Sequence, residues 1–148
     1  KAYTKIETDS WQFHLLNSKS ETPAGYVSRT QINSVCSSVD KKKHQFIFMH
    51  HHPVDVGYFI DRHGLKNKTE FWQSISTIEQ LKGIACGHIH QGRVVECEQS
   101  LSLYTCPATS IEFESDPDNL VNSGRAPGYR LFHFYNNGTV ETVLRYLK

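Results

Sequence analysis

The stretch FIFMHHHP at positions 46–53 joins a short apolar run to three consecutive histidines and a proline. Four apolar residues without alternation are typical of a strand that is covered on both faces. The stretch IACGHIH at positions 84–90 repeats this arrangement, since a short apolar run again leads directly into histidines. Rigid strands fix the first residues of the loops that follow them, and open α/β proteins bind ligands at such strand ends. We therefore expect a ligand site where these two predicted strands end.

Two helices are predicted, one before and one after the first of these strands. The capping-box pattern Ser28-x-x-Gln31 opens the first helix, and apolar residues at helical spacing follow it. Asn67-x-x-Glu70 opens the second helix in the same way, and Gly83 is expected to end it. The predicted buried side of the second helix consists of Phe71, Trp72, Ile75, Ile78 and Leu81.

Further strands are predicted outside the two histidine stretches. Residues 11–18 alternate between apolar and polar side chains. Two hairpins are expected, one over residues 94–106 and one over residues 129–147, where Asn137-Gly138 is a strong turn signal. The pattern predicts an α/β (α+β) fold with a mixed sheet, two helices on one side and terminal β-hairpins. Residues 1–148 are expected to belong to one domain, because the length does not allow two.

Composition excludes several classes of protein. With 38% hydrophobic and 21% charged residues, the chain has the make-up of a globular protein with a core. A formal net charge of +1 gives no basic surface for a nucleic acid polymer. No run approaches the ~20 apolar residues of a membrane span, and four cysteines are too sparse for a disulfide framework. We therefore expect a soluble, cytoplasmic protein with neither nucleic acid polymer nor membrane as a partner.

The histidines of the two stretches are the candidate metal ligands. Imidazole suits divalent ions such as those of zinc and iron, and His50, His88 and His90 directly follow predicted buried strands. His51 and His52 are weaker candidates, because three adjacent side chains cannot all point the same way. The isolated histidines are expected on the surface or in a satisfied core, and these are His14, His44, His63 and His133.

Two other polar groups are interpreted without a metal. Asp61-x-His63 is a ligand-like pattern, but it lies in a polar loop and not behind a buried strand. The acidic residues of 112–118 lack the glycine-punctuated loop of an EF-hand. We therefore expect residues 112–118 to form a solvated loop.

The histidine stretches and two later motifs resemble the bacterial 3′,5′-cyclic-AMP phosphodiesterases of the calcineurin-like metallophosphoesterase superfamily. The matching segments occur in the family's order, and they are MHHHPVDVG at 49–57, CGHIHQ at 86–91, CPATS at 106–110 and APGYR at 126–130. Gly-His-x-His with an upstream His-His-Pro is specific for the superfamily, and the triple histidine points to this subgroup. The segment CPATS departs from the family's usual Thr-Pro-Ser-Thr-Cys, which weakens any role for Cys106.

The resemblance implies the C-terminal half of an αββα sandwich with a two-metal centre between its sheets. By this likeness, His50 and His88 would bind one divalent ion of the Fe, Mn or Zn class, and His90 would bind the other. The implied reaction is hydrolysis of a cyclic nucleotide, 3′,5′-cyclic AMP, to the 5′-monophosphate by in-line attack on phosphorus.

The family's N-terminal motifs do not occur in this sequence before His50 or after it. In the family those motifs supply a bridging Asp, an Asn ligand and a His proposed as general acid. The resemblance therefore assigns no catalytic or substrate-binding residue to this chain. The metal site is expected to be incomplete, and the chain alone is expected to be inactive.

Two other classes of function remain open. His50, His88 and His90 could hold one zinc ion with an open fourth position, in a standalone metal-binding domain without phosphodiesterase activity. The chain could also be an interaction module, since strand edges without a partner favour self-association.

Histidine must be neutral to coordinate, and its ordinary pKa is ~6.5, so metal retention is expected to fail below about pH 6.

Overall fold

Two sheets of unequal size organise residues 3–97 and 100–148, which are the residues that the computed structural model describes. The elements in chain order are β1 (Tyr3–Glu7), β2 (Trp11–Leu16), α1 (Arg29–Ser38), β3 (His44–Met49), a 3₁₀ helix (Phe59–His63), α2 (Lys68–Ile75), β4 (Leu81–Cys86), β5 (Val94–Glu96), β6 (Ser102–Thr105), β7 (Gly128–Phe134) and β8 (Val140–Tyr146). The larger sheet has the strand order β1-β2-β3-β4-β6-β5, and β7 and β8 form the smaller one.

The centre of the larger sheet is parallel. β3 pairs in parallel with β2 and β4, and β4 pairs in parallel with β6, while β1 and β5 are antiparallel edge strands. Most residues of β3 and β4 are buried, as their apolar runs predict. Because Met49 pairs with Cys86, the two strands end side by side at one edge of the sheet.

Both helices cover one face of the larger sheet. The apolar core on this face includes Ile32, Val35, Ile47, Phe71, Ile75 and Ile84. The predicted start of α1 is confirmed, because Ser28 Oγ accepts a hydrogen bond from Gln31 N at 3.4 Å. Within the described residues, neither helix has the length and apolar character that crossing a membrane requires.

The hairpin of β7 and β8 covers the opposite face. The rings of Phe132 and Phe134 pack against Phe46 of β3, with centroids 5.8 and 5.0 Å apart. Trp11 Nε1 donates a hydrogen bond to Tyr135 O at 2.9 Å, which ties β2 to the end of β7. Helices, a mixed sheet and a hairpin thus form three layers, and the predicted α/β class is confirmed. The completed αββα sandwich and the assignment of residues 1–148 to half of one domain remain predictions.

The second helix is shorter than its apolar spacing predicts. α2 ends at Ile75, and Gly83 lies inside β4 instead of ending the helix. A Cβ at Gly83 would lie 2.7 Å from the Phe46 ring and 2.9 Å from the Tyr104 ring. Close packing of two aromatic rings, and not a turn, therefore accounts for this glycine.

Two other details differ from the expectation. Asn67 makes no side-chain cap on α2; its Nδ2 instead donates to Val27 O at 2.7 Å. The first predicted hairpin, β5 with β6, forms and also extends the larger sheet, since β6 pairs with β4. Residues 98 and 99, between the two strands in sequence, lie outside the described residues.

Candidate metal centre

The two histidine stretches meet at the carboxyl ends of β3 and β4. Gly87 N donates to His50 O at 3.1 Å, which joins the first residues after the two strands. The side chains follow the backbone, and His88 Nδ1 lies 3.1 Å from His50 Nε2. A Cβ on Gly87 would lie only 3.2 Å from His50 Nδ1, so the glycine leaves room for the imidazole. Strand register therefore brings two of the three predicted ligands into contact.

His88 has an unsatisfied nitrogen within this cluster. Its Nε2 is buried and has no hydrogen-bond partner among the described residues. Burial, followed by the charges of His51 and His50, lowers the pKa of His88 to about 3. A buried polar atom without a partner is unfavourable, and a neutral imidazole is the form that coordinates a metal ion. The chemistry of His88 therefore fits a divalent ion.

His51 completes the cluster, although it was a weak candidate in the sequence. Ligand atoms of His50, His51 and His88 all lie within 4.8 Å of one another. His51 Nε2 lies 3.1 Å from Pro23 O and must donate to it, so His51 Nδ1 accepts from the Ser18 hydroxyl at 2.8 Å. Because both ring nitrogens are engaged, His51 would have to release one partner to bind an ion. We interpret His51 mainly as a packing residue, because its ring contacts the rings of His50 and His88 and holds them in position.

His90 lies outside this group of three, but its tautomer suits metal coordination. His90 Nδ1 lies 2.7 Å from Ile111 O, which can only accept, so Nδ1 carries the hydrogen and Nε2 keeps its lone pair. Metal-binding histidines commonly donate their second nitrogen to a backbone carbonyl in this way. The His90 ring also stacks on Phe113, with centroids 4.4 Å apart. Burial and then the charge of His90 lower the pKa of His50.

His52 stacks on the His88 ring, with centroids 5.7 Å apart, but its Nε2 contacts the loop that follows. Its side chain is 1% exposed, and its Nε2 lies 3.2 Å from Asp61 Oδ1. Asp61 also accepts the backbone N–H groups of Val56 and Gly57, at 2.9 and 2.8 Å. Burial lowers the pKa of His52 in spite of this carboxylate. Asp61 thus holds the loop after the triple histidine and is not part of the group of three.

Tyr58 links this loop to the second histidine stretch. Its hydroxyl donates to Ile89 O at 3.0 Å, and the bond is buried. Asp61 Oδ2 accepts Tyr58 N at 3.3 Å, so one carboxylate fixes the residue that holds the turn between His88 and His90. The sequence gives no signal for the roles of Tyr58 or Ser18, because each contact joins segments that are distant along the chain.

The fold and the cluster together define an α/β protein with a histidine centre that fits a divalent metal ion. No protein-family model matches the chain. The chain is 44% identical over 148 residues to a "Probable cyclic nucleotide phosphodiesterase" of Colwellia psychrerythraea, covering 96% of the chain and 56% of the relative. It is 31% identical to the 3′,5′-cyclic adenosine monophosphate phosphodiesterase CpdA of Vibrio vulnificus, covering 93% and 51%. The corresponding protein of Escherichia coli K12 is 29% identical, with coverage of 94% and 52%.

The chain therefore spans about half the length of the curated relatives that it matches, and it corresponds to their C-terminal half. The resemblance predicted from the histidine motifs is confirmed by these relatives. Among solved structures, a Staphylococcus aureus chain provisionally described as a 5′-nucleotidase aligns over 98% of this chain and 29% of its own length. That alignment has a TM-score of 0.46 and 7% identity.

Proposed function

We propose that the protein to which this chain belongs is a metal-dependent phosphodiesterase that hydrolyses 3′,5′-cyclic AMP to the 5′-monophosphate. The observation that carries this proposal is the unsatisfied Nε2 of His88, which is buried beside His50 at the ends of two parallel strands. The relatives are named as cyclic nucleotide phosphodiesterases, which supports a cyclic nucleotide as the substrate class. His50, His88 and His90 are the proposed ligands of two divalent ions of the Fe, Mn or Zn class.

When bound, such ions supply Lewis acidity toward the phosphate and acidify water at neutral pH. His50 and His88 would supply neutral imidazoles, since burial lowers the pKa of both groups, and an ion bound by both would replace the contact between His88 Nδ1 and His50 Nε2. His90 supplies Nε2 because its Nδ1 proton is held by Ile111 O. The hydrogen bonds of Asp61 and Tyr58 hold the loop after the first histidine stretch against Ile89 of the second stretch.

The proposed ligands in this chain are uncharged, which supports the contribution of further, negatively charged ligands from outside the chain. The group of three within the described residues contains imidazoles alone, and neutral ligands cannot compensate the charge of two divalent ions. Carboxylate ligands are therefore expected from the part of the relatives that this chain does not match. We propose that the chain alone forms an incomplete site without measurable turnover.

A mononuclear site is the second candidate. The close grouping of His50, His51 and His88 favours it, because three imidazoles with an open fourth position suit one zinc ion once His51 releases Ser18 or Pro23. This alternative predicts metal binding without phosphodiesterase activity. We also propose a cytoplasmic location, which the free thiols of Cys36, Cys86 and Cys106 support.

Metal titration of the chain tests the centre itself. Mn²⁺ or Zn²⁺ affinity should fall at least tenfold in His88→Ala, because the change removes the nitrogen that has no other partner. His133→Ala is the matched control, since His133 is exposed on the hairpin and should leave affinity unchanged. Equal affinities in the two variants would show that the cluster does not bind the ion.

A further inference from the structure

A polar cavity of about 540 Å³ opens next to His90. Gln91 and Gly92, which directly follow His90, form one side of it. Phe113, whose ring stacks on His90, forms another. The polar side chains of the lining include Gln91, Arg93, Glu112, Glu114, Ser115 and Arg125. The cavity therefore lies beside His90, although none of its lining residues is a proposed metal ligand.

Glu112 presents an unsatisfied carboxylate oxygen to this cavity. The residue is 2% exposed, and its Oε1 accepts a hydrogen bond from Arg125 Nη1 at 3.0 Å. Its Oε2 is buried and has no partner among the described residues, which is unfavourable for a carboxylate. The expectation of a solvated loop is therefore wrong for Glu112. The loop folds back through a bridge between Phe113 and Asn122, which brings Arg125 over the carboxylate.

The surrounding charges restrict what Glu112 can bind. Arg125 already neutralises the carboxylate at Oε1, so the remaining oxygen suits an uncharged donor better than a second cation. Arg93 is engaged elsewhere, because its guanidinium lies 5.3 Å above the Tyr58 ring and donates to Ser115 Oγ. Burial, the charge of Glu112 and a hydrogen-bonding interaction with Glu112 raise the pKa of Tyr146. Tyr146 lines the same cavity and stays protonated at neutral pH, and its hydroxyl is the donor that a ligand would have to displace from the Glu112 carboxylate.

We propose that this cavity binds the nucleoside part of the substrate, with Glu112 Oε2 accepting a hydrogen bond from it. The inference rests on the proposed function, because a phosphate at the histidines places the adjoining nucleoside beside His90. A cyclic adenosine nucleotide offers two uncharged donors, the 2′-hydroxyl of the ribose and the exocyclic amine of the base. The polar lining favours the ribose hydroxyl.

The test compares cyclic AMP binding by the chain and by its Glu112→Gln and Glu114→Gln variants, measured by isothermal titration. Both changes remove one negative charge from the lining, but Glu114 is exposed, so Glu114→Gln is a matched control. Binding should weaken about tenfold or more in Glu112→Gln, as expected for loss of a hydrogen bond to a charged group. Glu114→Gln should bind like the unchanged chain.

Two analogues identify the donor. A loss of similar size with 2′-deoxy cyclic AMP on the unchanged chain assigns the ribose hydroxyl, whereas such a loss with an analogue that lacks the exocyclic amine assigns the base. Equal cyclic AMP affinity in the unchanged chain and Glu112→Gln, or no binding to either, overturns the inference. Mn²⁺ titration of the same proteins reports on the histidines alone and should not differ among them. Absent Mn²⁺ binding with intact, Glu112-dependent nucleotide binding would instead contradict the proposed function.

Discussion

His88 is the residue on which the metal assignment depends most. Its ring is surrounded by other histidines, with the His51 centroid at 4.4 Å and the His50 centroid at 5.0 Å. In such a setting a proton on one ring repels a proton on the next, and burial disfavours both. The packing of the rings therefore favours the neutral form of these histidines without a bound ion.

This neutrality changes the expected pH dependence. A lowered pKa means that protons bind less readily, so they compete with a metal ion only at pH values well below 6.5. Affinity that depends on His88 should be retained at pH 5.5 and lost as pH falls toward the pKa of His88, about 3; the lowered pKa of His50 acts in the same direction. This replaces the expectation of failure below about pH 6, which used the ordinary pKa of histidine.

Calorimetric titration with Zn²⁺ at pH 7.5 and 5.5 measures this effect. The His90→Ala variant restricts the measurement to the pair of His50 and His88. Similar affinity at the two pH values is the expected result. A loss of tenfold or more at pH 5.5 would mean that the pair has ordinary pKa values and is not neutralised by packing.

At the scale of elements, the loop between β3 and α2 is held by one carboxylate. Asp61→Ala removes the acceptor of the Val56 and Gly57 N–H groups and of His52. The free energy of unfolding should fall by about 2–4 kcal/mol, because several donors, most of them partly buried, lose bonds to a charged group. Urea denaturation measures the change.

Asp55→Ala is the matched control for this loop. Asp55 is exposed and forms an ion pair with Lys68 at 2.6 Å, and exposed pairs contribute only about 0–1 kcal/mol. Equal effects of the two substitutions would refute the role given to Asp61.

The elements that carry the histidines are predictable from sequence, because β3 and β4 are buried by local apolar runs that end at the ligands. β1 is not predicted, since Tyr3–Glu7 is a mostly exposed edge strand without an apolar face. Gly83 is misleading for a related reason, because only the meeting of Phe46 and Tyr104 across the sheet explains it.

The metal centre also combines contacts that local sequence patterns predict with contacts that they do not. The meeting of His50 and His88 follows from strand order, whereas the partners of His51 lie about thirty residues away in Ser18 and Pro23. The burial of Glu112 likewise depends on Arg125, thirteen residues further on. Contacts of this kind leave no pattern in a single sequence.

For the whole molecule, the smaller sheet predicts self-association. Among the described strands, β7 and β8 pair only with each other, and Leu131 is 44% exposed on the outer side of the hairpin. An unpaired, partly apolar sheet edge favours pairing with a second copy. We propose that the chain forms concentration-dependent dimers through this hairpin.

Sedimentation measurements of mass against concentration test the surface. Leu131→Lys should lower the dimer fraction, since it places a charge on the hairpin. Ile6→Lys is the control, because Ile6 is 52% exposed on the edge strand β1 of the larger sheet. A larger effect of Ile6→Lys would assign the interface to β1 instead.

We propose above that this chain supplies metal-binding histidines to a cyclic nucleotide phosphodiesterase. The most direct measurement is cyclic AMP hydrolysis by a chimaera that joins the unmatched first half of the Colwellia relative to this chain, assayed with Mn²⁺. We predict production of 5′-AMP by the chimaera, abolished by His88→Ala, unchanged by His133→Ala and absent from the isolated chain. A folded, Mn²⁺-loaded chimaera without turnover would contradict the claim. Turnover by the isolated chain at rates ordinary for an enzyme, roughly 1–1000 s⁻¹, would contradict the half-site it is assigned.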